Sequence, residues 1–340
     1  MSKVALITGA LGQDGSYLAK QLIEDGYRVI GTTSQSNPNT WRYDYLSIVN
    51  KVELTQLDFN SISHFDEIIT KYKPTHIYNL AAQSSVHESF NKPFETNKIN
   101  AFSVLYMLDF IRRMAPKTKF YQASSSEMFG NSGIDSSPKN ESSEFNPVSP
   151  YAVSKLFIHQ TLNIYRTAYN IFACSGILFN HESPLRSANF VSKKIISIAC
   201  NIKKGSNEVL ELGNLDAARD WGCAREYVSA MKLIIESNTP EDYVISSGES
   251  YSIREFVNIT FKLLGYDLQW EGTGLNEIAK CKNTGKILVK ISPKFFRPVE
   301  LKKIVGDSQK AFSQLNWKST KTFPNIITDM IEFELNNKPI

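Results

Sequence analysis

Through its first 180 residues the chain alternates short, nearly unbroken apolar runs with stretches whose apolar positions recur every three or four residues. The runs at 3–8, 28–32, 52–57, 76–81, 119–123 and 172–178 read as strands. The periodic stretches near 13–25, 61–72, 93–114 and 150–169 read as helices. A strand that stays apolar instead of alternating is buried on both faces. Strand and helix taking turns therefore predict a parallel sheet with helices on both sides. After Asn180 the rhythm degrades. Asn180-His181-Glu182-Ser183-Pro184 reads as a loop, 189–202 as a helix, 209–212 as a strand and 224–236 as a helix. The stretch 267–290 is polar, contains glycine and is only weakly periodic. The expected fold is α/β, a doubly wound parallel sheet with a smaller, partly interleaved C-terminal lobe. Residues 1–180 form mainly the first domain and 181–340 mainly the second, with segments near 209–248 returning to the first.

Composition narrows the classes. The chain has 340 residues, 42% hydrophobic and 21% charged, which suits one large or two intimate globular domains. A net charge of +4 with scattered basic residues argues against nucleic acid but leaves room for a local phosphate site. Cys174, Cys200, Cys223 and Cys281 show no metal or redox spacing and read as reduced core thiols. The chain enters Val4-Ala5-Leu6-Ile7 too early for a signal peptide or a membrane span, so a cytoplasmic enzyme without membrane association is expected.

The first strand runs into Thr8-Gly9-Ala10-Leu11-Gly12-Gln13-Asp14-Gly15, which opens the first helix. Gly9, Gly12 and Gly15 let the chain turn tightly and let a pyrophosphate reach backbone N–H groups at a helix N-terminus, the pattern of a Rossmann dinucleotide site. Gln13 and Asp14 fall in the same turn. At the end of the second strand an acid would select the free ribose 2′-hydroxyl of NAD, and an Arg the 2′-phosphate of NADP. Neither stands there; Ser34, Gln35 or Arg42 could serve a 2′-phosphate, so NADP is the expected cofactor with NAD as the alternative. Asp58 closes the third strand, where it could accept from an adenine amino group or cap the next helix. Leu80-Ala81-Ala82-Gln83-Ser84 ends the fourth, its small residues leaving room for a nicotinamide ribose.

Ser124-Ser125-Ser126-Glu127 ends the fifth strand, and Tyr151-Ala152-Val153-Ser154-Lys155 begins a helix. A Tyr and a Lys four apart share a helix face, where the ammonium could lower the phenol's pKa and let it move a proton near neutral pH. Glu127 and the neighbouring hydroxyls would add a second acid–base set.

These residues resemble those of an extended short-chain dehydrogenase/reductase, and specifically the GDP-mannose 4,6-dehydratase family. The stretches 8–18, 80–84, 121–130, 149–156, 176–184, 212–222 and 295–300 carry the likeness. The segments Gly176 to Pro184 and Leu212 to Gly222 are far more diagnostic than the glycine turn. The resemblance implies loss of water from a GDP-sugar with a tightly bound, internally recycled cofactor. Tyr151, assisted by Lys155, would take the proton from the sugar 4-hydroxyl. Glu127 would remove the C5 proton, and Ser125 would assist at the 4- or 6-oxygen. His181 and Arg186 would join Leu80, Ala82 and Gln83 at the cofactor. Ser84, Ser126, Asn180, Val191, Lys194, Arg219, Arg297 and Glu300 would surround the sugar nucleotide. A homodimer or homotetramer is implied. The chain departs from the family pattern at Ser125, where Thr is usual, at Ser34 and Gln35, where two Arg are usual, and at Leu185, where Arg is usual. Its segment between Glu127 and Tyr151 is also longer. A GDP-manno-heptose therefore stands as the alternative substrate. An epimerase or ketoreductase, or a cofactor-sensing regulator, are the more distant readings.

Overall fold

The computed structural model describes residues 3–59, 61–131, 137–296, 299 and 303–336. Its strands are β1 (Val4–Thr8), β2 (Arg28–Thr33), β3 (Val52–Gln56), β4 (His76–Asn79), β5 (Lys119–Ser125), β6 (Ala173–Leu178), β7 (Asn180–Glu182), β8 (Leu210–Leu212), β9 (Ala218–Cys223), β10 (Asp242–Ile245), β11 (Ser250–Ser252), β12 (Leu268–Glu271), β13 (Ile278–Cys281) and β14 (Ile287–Ile291). Seven of them form one parallel sheet in the order β10-β6-β5-β4-β1-β2-β3, the doubly wound Rossmann arrangement.

Neighbouring residues of β1 show why these runs are apolar throughout. Ile7 packs with the layer containing Tyr17, Leu22, Val228 and Met231, whereas Leu6 packs with Phe65, Met107, Ile111 and Ile158 on the opposite face. A separate core around Phe256, Trp221, Phe323 and Ile327 builds the second lobe. At about 25 cal/mol per Å² of apolar surface, each such large side chain taken fully out of water contributes roughly 2–3 kcal/mol before entropy is counted.

Several segments differ from the sequence expectation. The expected loop at 180–184 contains β7, which pairs in parallel with β9 through Asn180↔Trp221 and Glu182↔Cys223. That pairing is tertiary and leaves no local periodic signal. The weakly periodic 267–290 folds into β12, β13 and β14, which join β8 in a four-stranded sheet. One side of β13 and β14 is open to solvent, so Lys280 and Lys290 interrupt the apolar pattern. The expected helix at 93–114 is continuous in course but contains a π-helical turn at Lys98–Phe102, between Pro93–Asn97 and Ser103–Met114. The turn carries buried Asn100, which accepts from the Gln83 N–H at 2.9 Å and donates to the Ser154 hydroxyl at 3.2 Å. Among the described residues no helix is long and apolar enough to cross a membrane.

Candidate active site

The carboxyl ends of β1, β2, β4 and β5 open onto a groove of about 1460 Å³ that runs from Gln35 and Asp58 to Glu127 and Trp221. Its floor is the glycine turn. Gly9 sits at φ +67°, and a Cβ there would stand 2.8 Å from the Ala81 amide nitrogen. Only glycine lets β1 and the end of β4 approach so closely. Gly12 donates its N–H to the Gly9 carbonyl at 3.0 Å, and the helix Gln13–Glu24 begins one residue later. The cradle, shallow and lined by backbone at a helix N-terminus, fits a dinucleotide's pyrophosphate. Ser34, Asp58, Leu80, Ala82 and Gln83 line the same groove.

The turn is locked to β7 and the loop after it. Gln13 donates to the His181 carbonyl at 3.1 Å and accepts from the Ser183 hydroxyl at 2.8 Å. The Asp14 carboxylate meets His181 Nε2 at 2.9 Å, while His181 Nδ1 lies 2.7 Å from the Phe179 carbonyl. Burial works against charge on both partners, yet their mutual attraction prevails. Asp14 is held below its ordinary value and His181 above its own. Arg186 pairs with buried Glu182 at 3.1 Å and lays its guanidinium 3.6 Å from the centre of the Phe190 ring. Burial raises the Glu182 pKa, with Arg186 and a 2.6 Å bond from the Ser192 hydroxyl opposing it.

The reactive cluster is set by two helix starts. Ser125 accepts from the Glu127 N–H at 3.2 Å and caps the short turn Ser126–Phe129, leaving Glu127 half-buried on the groove wall. Gly130 closes that turn at φ +55°, where a Cβ would fall 1.6 Å from the Asn146 carbonyl oxygen. Ser149 caps the helix Pro150–Tyr169 by accepting from the Ala152 N–H at 3.1 Å, with Pro150 in its first turn. That helix carries Tyr151 and Lys155 into the groove beside Ser125 and Glu127. The Lys155 ammonium donates to the Ala123 carbonyl at 2.9 Å.

The phenol does not follow the expectation from spacing. Burial pushes the Tyr151 pKa up to about 12, a Ser125 hydrogen bond opposes this, the Glu127 charge reinforces it and the Arg186 charge opposes it. Lys155 contributes no resolved pull. Its ammonium lies 5.8 Å from the Tyr151 ring centre and is engaged by Ala123, and burial lowers its own pKa to about 8.

Of the residues expected at the sugar, Ser84, Ser126, Asn180 and Val191 line the groove. Lys194 and Arg219 do not. Lys194 donates to the Glu211 carbonyl at 2.6 Å and rests 3.3 Å above the Phe295 ring. Arg219 is buried and donates to the Ala218 carbonyl at 2.9 Å. Arg297 and Glu300 lie outside the described residues. Sequence reasoning missed Glu182, Phe190 and Trp221 as groove residues. Glu182 pairs with Arg186 only four residues on, and Glu182 and Trp221 fall within the diagnostic segments, but no spacing rule marks any of the three as lining a groove. Among the described residues no group of three or more His, Cys, Asp or Glu could hold a metal ion.

The sequence model of a family described as GDP-mannose 4,6 dehydratase matches residues 6–330. The chain is 43% identical to GDP-mannose 4,6 dehydratase of Cricetulus griseus over 342 residues, covering 98% of this chain and 91% of that protein. In structure it is similar to UDP-glucose 4-epimerase of Thermotoga maritima, with a TM-score of 0.82 at 20% identity, covering 97% and 98% of the two chains. It is likewise similar to dTDP-glucose 4,6-dehydratase of Bacillus anthracis, with a TM-score of 0.79 at 18% identity, covering 98% and 96%. At these identities the two structures establish a shared fold.

Proposed function

Because the chain belongs to the GDP-mannose 4,6-dehydratase family, we propose that it removes water from GDP-mannose to leave GDP-4-keto-6-deoxymannose. The observation that carries this reading is Glu127 on the same groove wall as Ser125 and Tyr151. A Tyr–Lys pair is enough for hydride chemistry at a carbinol; a carboxylate beside it supplies the base an elimination needs. A nicotinamide dinucleotide bound along the glycine turn would accept hydride from C4 and return it to C6, with no net redox change.

Tyr151 takes the proton from the sugar 4-hydroxyl. Burial holds its pKa at about 12 in the cofactor-free groove, so the phenol must first give its own proton to solvent to become phenolate, a loss that the positive ring of a bound oxidised nicotinamide would favour. Ser125 bonds the same oxygen and steadies that charge. The C4 ketone acidifies C5–H, Glu127 removes this proton and passes it to the 6-hydroxyl, which leaves as water, and C5 regains a proton, matching the one lost from the 4-hydroxyl, as hydride returns to C6. NADP is the proposed form of the cofactor and NAD its alternative, with Ser34 at the ribose end of the groove. Asn180, Val191, Ser84 and Ser126 are proposed to meet the sugar nucleotide.

An apolar face on the helices carrying Phe94, Phe102, Val153, Phe157 and Ile164 supports self-association as a homodimer or homotetramer. Phe94 is 91% exposed and Phe102 60%. Four free buried thiols suit the cytoplasm. Ser125, lacking the methyl of Thr beside the reacting carbons, favours as second reading a GDP-manno-heptose with its extra carbon beyond C6.

The test is to incubate cofactor-loaded protein with GDP-mannose and, separately, GDP-manno-heptose, and to follow loss of one water by mass. Loss from GDP-mannose is expected. Loss only from the heptose would move the substrate, and no loss from either would sink the dehydratase reading. Glu127→Gln should still exchange hydride with the cofactor and stall before water leaves.

A further inference from the structure

Three segments that wall the cofactor groove meet at one side chain, Arg42. Its Nε donates to the Leu185 carbonyl at 2.8 Å, Nη1 to the Leu11 carbonyl at 3.1 Å and Nη2 to the Ser187 hydroxyl at 3.0 Å. Leu11 belongs to the glycine turn, Arg42 to the helix Trp41–Leu46, and 185–187 to the loop after β7. Leu11, Arg42 and Ser187 all line the groove. We propose that Arg42 is a positioning residue that staples the groove shut around the cofactor, so that the dinucleotide stays in place between the two hydride transfers.

The anchor is rigid on its own side. The guanidinium stacks 4.5 Å from the Trp41 ring centre. Tyr43, fully buried, donates its hydroxyl to the Ala10 carbonyl at 3.0 Å. Two successive carbonyls of the glycine turn thus receive donors from one short helix. Behind it, Phe333 packs against Trp41 and Tyr45 with ring centres 6.1 and 5.1 Å away. To part the helix from the 185–187 loop, the fork of Arg42 must be unmade, because two of its bonds cross that gap. Three of its five N–H donors are held by protein oxygens. A guanidinium fixed this way is a strut of the groove wall, a different role from the 2′-phosphate ligand considered from sequence.

A released reduced cofactor would strand the keto intermediate, so slow release matters more here than in an ordinary dehydrogenase. The proposal rests on the nicotinamide reading above. Its test loads the full chain with NADPH and, separately, NADH, then measures release by stopped-flow fluorescence on displacement with excess oxidised cofactor. Arg42→Met should speed release of both nucleotides by the same factor, on the order of ten- to a hundred-fold, from the charge-assisted bonds lost. Ser187→Ala, which removes one contact, should give a smaller increase. Arg42→Lys, which keeps charge but cannot span three oxygens, should fall between. Faster release of NADPH alone would overturn the staple and make Arg42 a 2′-phosphate ligand. Unchanged release, with a lower melting temperature of the cofactor-free protein, would make Arg42 a contributor to fold stability alone and overturn it too. Failure of the unaltered protein to bind either nucleotide would overturn this proposal and the nicotinamide reading together.

Discussion

Replacing Lys155 by methionine should make the cofactor-free protein more stable while disabling it. Lys155 is 4% exposed, and burial lowers its pKa from 10.5 to about 8. That difference corresponds to a penalty of about 3 kcal/mol on the charged form at neutral pH. Methionine fills similar volume without charge but forfeits the bond to the Ala123 carbonyl, worth about 1 kcal/mol. The expected net gain is about 2 kcal/mol. With an unfolding entropy of about 2.1 cal/mol/K per residue over 340 residues, the melting temperature should rise by about 3 °C at pH 7. The sign of the pH dependence follows from proton linkage. Between pH about 8 and 10.5 the unfolded chain binds the lysine proton and the folded one does not, so the unaltered protein gains stability as pH rises. The advantage of Lys155→Met should therefore shrink through that window and vanish or reverse above it. Differential scanning fluorimetry of both proteins from pH 7 to 10.5 makes the comparison. A variant that melts lower at pH 7, or a gap that does not change with pH, would refute the reasoning.

Three further outcomes are expected. Gly9→Ala places a methyl 2.8 Å from the Ala81 nitrogen at φ +67° and should cost about 1–3 kcal/mol, seen as a lower melting temperature together with NADPH affinity weakened at least roughly tenfold by titration. Tyr151→Phe should reduce turnover by about 10²–10⁴ while leaving NADPH binding intact, which steady-state rates and the same titration separate. Asp14→Asn removes the charge that, against burial, holds the His181 pKa up. Its stability deficit should be widest between pH about 4 and 6.5, where both partners are charged, and should narrow as pH rises through the folded His181 pKa or falls through that of Asp14; thermal melts across pH 3–9 check this.

The central sheet could be read from sequence because its strands are covered on both faces. Leu6 and Ile7 face different layers, so no polar residue interrupts the run. The glycine turn could be read because Gly9 answers a local backbone demand. The same holds for Ser125–Glu127 and Tyr151–Lys155, which sit at a strand end and a helix start. What escaped depends on distant partners. β7 exists through β9, forty residues on, and the burial of Glu182, whose partners Arg186 and Ser192 are only four and ten residues away, is set by how that segment packs in the fold. Electrostatics escaped as well. Spacing put Lys155 on the face of Tyr151, but the depth of both side chains decides their pKa values, and depth is a property of the packed fold. Arg42 was legible as a cation near the ribose end; its bonds to Leu11, Leu185 and Ser187 were not.

The contact of Phe333 with Trp41 and Tyr45 also governs timing during synthesis. Glu334, one residue on, binds Lys193 at 2.8 Å and the Ser197 hydroxyl, fastening this last described helix across the back of the groove. A ribosome adding about 5–20 residues per second needs roughly 15–60 seconds to travel from Trp41 to Phe333. Throughout that interval the helix Trp41–Leu46 lacks its buttress, and for the first half of it the glycine turn also lacks the 181–187 segment that locks it. Capture of the cofactor should therefore be among the last events of biogenesis.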